Sequence, residues 1–154
     1  RHRRDFMALN RSIKSSRTRE EVLSIFCESR SNFDAIALAT SIHSLVRFEQ
    51  TRVRGTAETE QSNQRRLNEL IEFTTKSISD KPEAWGARAL ANSVWAAAKL
   101  RLAAPALYEA IARAASLKIG EFKPQELANT AWAFSSAGVA APALYDAIAR
   151  AAPA

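Results

Sequence analysis

The chain has 154 residues, room for one compact domain or a few repeats, and at 47% hydrophobic with four Gly it favours helices. No apolar run approaches the roughly 18 residues a membrane span needs, and one cysteine, Cys27, excludes an internal disulfide. The net charge of +6 sits at one end: of 22 basic and 16 acidic residues, positions 1–20 hold seven and two, leaving fifteen against fourteen in a near-neutral body.

Residues 1–17 form a basic N-terminal arm. Rich in Arg and Ser and poor in acids, it reads either as a disordered tail or as part of an organelle transit peptide. The chain opens on Arg rather than Met, so a longer precursor is expected. Residues 18–154 read as a helical-repeat domain. Val22, Leu23, Ile25 and Phe26 give an apolar stripe that predicts a lone leading helix to about Arg30. Ser31 and Asn32 are candidate caps for the next helix. That helix contains ALATSIHSL (37–45), which aligns with ALANSVWAA (89–97) at an offset of 52. The polar stretch 49–63 has no apolar period and predicts a loop inserted within the first repeat. Residues 66–78 then predict its partner helix, with Leu67 and Ile71 matching Leu107 and Ile111.

Asp80, Lys81 and Pro82 open the next unit, whose first helix runs to about Leu100. A second helix follows from Pro105 to about Lys118, with Gly120 as its stop. Pro124 starts the following helix, Gly138 ends it, and Pro142 opens the last one. These units repeat. LANSVW at 90–95 returns as LANTAWAF at 127–134, and APALYEAIARAA at 104–115 returns as APALYDAIARAA at 141–152. Trp95 and Trp132 are 37 residues apart, as are Pro105 and Pro142. Phe33, Trp85 and Phe122 obey the same offsets of 52 and 37. A period of this size marks stacked supersecondary units. The expected fold is all-α: an α-solenoid of helix hairpins, about three 37-residue repeats plus a leading helix, in which stacking supplies the core. The apolar last hairpin predicts further repeats or a partner beyond it.

At 100° per residue, Leu38, Ile42 and Leu45 share a core face with their counterparts Leu90, Val94, Ala97 and Leu127, Ala131, Phe134. The opposite stripe runs Ile36, Thr40, His43, Arg47, then Arg88, Asn92, Trp95, Lys99, then Gln125, Asn129, Trp132, Ser136. Each run sets polar groups beside a flat ring. Rings stack bases while Asn, Gln and Arg bond base edges or phosphates, so Arg47, Arg88, Asn92, Lys99, Gln125 and Asn129 are the candidate RNA-binding residues. Two roles stay open for Trp95 and Trp132: base stacking, or wedging between hairpins. Four phosphate contacts, by Arg47, Arg88, Lys99 and one further cation, predict a salt slope of about −2.8 on single-stranded RNA.

Catalytic chemistry has no carrier. The only histidines are His2 and His43, Cys27 has no companion for a metal set, and no Gly-rich phosphate loop or nucleophile motif occurs. No catalytic residue, metal, cofactor or small-molecule substrate is expected, and no membrane partner.

LANTAWAF preceded by PQE, with its partner APALYDAIARAA, resembles the octotricopeptide-type repeats of algal and protist organelle proteins. It is also similar to the helical repeats of FAST-kinase-like and RAP-domain proteins and of RNA-editing substrate-binding complex proteins. NFDAIALATSIHSL (32–45) looks like the weaker N-terminal units of such proteins, so the resemblance covers about residues 18–152. It implies an organellar protein, mitochondrial or alternatively chloroplast. The implied role is binding of single-stranded RNA in processing, stability, editing or translation, alongside other organellar RNA-processing proteins. The near-neutral body fits the alternative as well, a protein–protein interaction scaffold without direct RNA contact.

Overall fold

The computed structural model describes residues 2–51 and 53–152; Arg1 and Arg52, in the predicted arm and loop, and residues 153–154 lie outside them. The described residues form eight α-helices and no strand: α1 (His2–Lys14), α2 (Arg19–Ser29), α3 (Ala35–Leu45), α4 (Ala57–Asp80), α5 (Ala87–Lys99), α6 (Pro105–Leu117), α7 (Pro124–Ala137) and α8 (Pro142–Ala151). They pack in two rows. Helices α1, α3, α5 and α7 lie side by side in one row, and α2, α4, α6 and α8 in the other. Buried apolar side chains between the rows make one continuous core.

Local chemistry sets the helix starts. Thr18, Asp34 and Thr56 accept the amides of Glu21, Ala37 and Thr59 at 3.2, 2.8 and 3.1 Å. Pro occupies the first turn of α6, α7 and α8, where its missing N–H costs nothing. Three odd-numbered helices share a common entry. Phe33, Trp85 and Phe122 each end a 3-10 turn, are extended in backbone, and donate their N–H to the carbonyl three residues back at 3.1 Å. All three side chains are buried, so one aromatic anchor per unit fixes the entry of the next helix.

Several expectations are corrected. Residues 2–14 of the 1–17 arm are a helix, not a disordered tail. Ile13 on α1 is fully buried and α1 packs against α3, so α2 is the second member of a pair rather than a lone leader. The sparse apolar stripe of α1 was masked by its Arg content. The 49–63 insertion is only part loop. Residues from 57 onward are helical, so 57–63, about half of the insertion, extend the front of α4. The register of α4 also moves. Besides Asn63 its buried positions are Leu70, Thr74 and Ile78, which sit 37 residues before the buried Leu107, Ile111 and Ala115. Leu67 and Ile71 are only half-buried. A three-residue slip keeps much the same helix face, so apolar periodicity alone does not choose between the two registers.

Asp34, not Ser31 or Asn32, caps α3. Gly120 sits inside a 3-10 turn with no left-handed backbone, whereas Gly138 caps α7 at φ 69 as expected. The core faces hold, except that Ala131 is half-buried and Thr130 and Ala133 take the buried places.

Candidate functional site

The outward stripe of α3, α5 and α7 is where the candidate residues meet. Equivalent positions come together across the row. His43 stacks on Trp95 with centroids 5.2 Å apart and planes 27° from parallel. The Lys99 ammonium lies 5.6 Å from the Trp95 centroid and 5.5 Å from that of Trp132. Rings and cation thus form one line from α3 across α5 to α7. Trp95 is half-buried, but Trp132 keeps 44% of its surface exposed. The tryptophans are therefore neither sealed wedges nor fully free platforms.

Nearer the helix starts, a groove of about 690 Å³ opens between α3 and α5. Ile36, His43, Arg47, Arg88 and Asn92 line it, and Lys14 closes it from α1. Its floor is Ala35, Ala39 and Ala89, small residues that let the backbones approach. Ile36 is 60% exposed there, an apolar surface with cations around it. Arg88 is exposed and forms no ion pair among the described residues.

Arg47 has a different employment. Its guanidinium donates to the carbonyls of Lys14 at 2.7 Å and Ser16 at 3.1 Å and lies over the Phe48 ring. It caps the end of α1, which supplies cationic charge where the helix dipole favours it. Gln125 and Asn129 are on α7, away from the groove, where the Gln125 amide donates to Asn129 Oδ1 at 3.5 Å. Asn92 is half-buried in the groove wall. So the structure gathers Arg47, Arg88 and Asn92 at one place, leaves Lys99 in the ring line, and sets Gln125 and Asn129 apart.

His43 is exposed overall, but partial desolvation of its imidazole lowers its pKa from the ordinary value, and the charges of Arg47 and Arg88 push the same way. His43 is accordingly a neutral ring near pH 7. Lys14 joins this surface although sequence reasoning gave it no role, because the arm that carries it was not expected to fold. The alternation of the rows offered a signal for it only once α1 was known to belong to them.

Charge is divided between the rows. The sequences of α1, α3, α5 and α7 hold six basic and two acidic residues, and α3 and α5 hold no acid. Those of α2, α4, α6 and α8 hold six basic and ten acidic residues. The first row is thus basic, with four of its six cations on α1, and the second is acidic, and an average over the sequence hides both. The acids of the second row are partly spent internally: Arg19 pairs with Glu60 and Arg30 with Glu69 across α2 and α4.

Among the described residues no group of His, Cys, Asp and Glu is placed to hold a metal ion, and no helix is long and apolar enough to cross a membrane. No family model, no curated protein and no solved structure matches the chain.

Proposed function

We propose that this chain is an RNA-binding helical-repeat module of an organellar post-transcriptional factor, and that its two rows are a short α-solenoid. Single-stranded RNA lies across α3, α5 and α7, with Arg88, Lys14 and Lys99 facing phosphates and with polar Asn92, Gln125 and Asn129 facing bases. One observation carries this reading: cations and flat rings are collected on a row whose central helices have no carboxylate to repel a phosphate chain. The resemblance of LANTAWAF and its partner helix to organellar RNA-factor repeats supports a mitochondrial or, alternatively, a chloroplast site of action.

Photocrosslinking tests it. A 4-thiouridine-containing RNA oligomer should crosslink to peptides of α3, α5 and α7. Crosslinks confined to α4, α6 and α8, or none, would remove the proposal.

A second reading has its own observation. A groove of about 490 Å³ between α4 and α6, lined by Leu67, Ile71, Leu102, Pro105 and Leu107, is the more apolar surface of the acidic row. It suits a protein segment better than a nucleic acid. Binding that goes to a protein and survives high salt would favour the scaffold.

A further inference from the structure

The ring line is closed at one joint and open at the other. His43 and Trp95 stack directly, which leaves no room for a third ring between them. Trp95 and Trp132 make no ring contact among the described residues; the Lys99 ammonium lies over both rings instead. Its two distances, 5.6 and 5.5 Å, cap the separation of the indole centroids at the sum of the pair. A flat ring held on both faces needs about 7–8 Å between its neighbours, two contact layers of roughly 3.5–4 Å each. The bound leaves space for such a ring, and the group that touches both indoles sits on a flexible four-carbon stem.

Resting on the RNA reading above, we propose that the Trp95–Trp132 joint is a slot for one unpaired nucleobase and that Lys99 is its placeholder. In the free protein the ammonium satisfies the electron-rich faces of both indoles. Lys99 has no ion pair among the described residues to hold it there. When a strand arrives, the base takes the slot and the ammonium moves out to the phosphate beside it. The exchange replaces one favourable ring contact by another and adds a charge pair. The exposure of Trp132 gives the base its entrance. The His43–Trp95 stack holds the inner wall of the slot upright, so the base meets a preset face. The counterparts of Lys99 are not used this way: Arg47, one unit earlier, is bonded to the carbonyls of Lys14 and Ser16, and position 136, one unit later, is Ser.

Tryptophan fluorescence titrations test the slot, with adenosine and with an eight-nucleotide single-stranded RNA. RNA should quench the emission. Lys99→Ala should bind adenosine about fivefold more tightly, because no cation–π contact has to be given up. The same variant should lose about 0.7 from its salt slope with RNA. Trp132→Ala should weaken RNA binding about tenfold, and Trp132→Phe should restore most of it. If RNA binds but Trp132→Ala changes nothing and no quenching occurs, the slot is wrong while the RNA reading stands. If adenosine binding tightens in Lys99→Ala but no RNA binds, the slot stands and the RNA reading fails.

Discussion

Arg101 and Gly138, 37 residues apart, hold the same left-handed backbone position, at φ 54 and φ 69. Each closes its helix with the same two bonds. Leu102 and Arg101 donate to the carbonyls of Ala97 and Ala98; Val139 and Gly138 donate to those of Phe134 and Ser135. Glycine takes this conformation freely, whereas a residue with a Cβ is strained by about 1 kcal/mol. Arg101→Gly is therefore expected to stabilise the fold by about 0.5–1 kcal/mol, read as a higher urea midpoint, and Gly138→Ala to cost a similar amount. An unchanged midpoint for Arg101→Gly would contradict the shared geometry.

Arg47 should act on the fold, not on the ligand. Removing its bonds to Lys14 and Ser16 leaves two carbonyls uncapped, and Arg47→Ala is expected to cost about 1–2 kcal/mol. Hydrogen exchange should show lost protection in α1 with α5 to α8 unaffected. The salt slope of RNA binding should stay as it is. A slope that falls in Arg47→Ala would return Arg47 to the phosphate contacts.

The tryptophans should part company in stability. Trp85 is fully buried and its indole N–H donates to Ser77 Oγ at 3.0 Å, so Trp85→Ala is expected to cost about 3–5 kcal/mol. Trp132, far more exposed, should cost about 1 kcal/mol on truncation. Equal losses in thermal or urea unfolding would make Trp132 a core residue and close the slot.

His43 gives a pH signature. Its folded pKa lies below the unfolded value of about 6.5, so the stability it permits is present above that pH and is lost as pH falls through the folded pKa. His43→Phe keeps a ring against Trp95 but does not titrate. The wild-type urea midpoint should fall relative to that of His43→Phe between about pH 7.5 and 5.5. A constant difference would mean that His43 is not desolvated.

Much of the architecture was legible because two signals were independent of context. The 37-residue echo of LANSVW in LANTAWAF fixed the equivalence of α5 and α7, and the spacing of Phe33, Trp85 and Phe122 fixed the entries of three helices. What stayed hidden depended on partners. Nothing in residues 1–17 shows that Ile13 finds a place on α3, because a short basic helix gains its stability from packing rather than propensity. The role of Arg47 was hidden for the same reason: its acceptors are carbonyls of that unforeseen helix. Arg88, Asn92 and Lys99 could be placed on one face by helical spacing, but the reach of Lys99 to two indoles needed the distance between helices. The division of charge between rows likewise required knowing which helices are neighbours.

The most direct measurement is the salt dependence of single-stranded RNA binding. With Arg47 committed to α1, three cations remain for phosphates, Lys14, Arg88 and Lys99. The account predicts a slope of about −2.1, a loss of about 20-fold in affinity from 50 to 200 mM salt, falling to about −1.4 in Arg88→Ala. Absence of binding, or a slope indifferent to both Arg88→Ala and Lys99→Ala, would contradict the assignment of RNA to this face.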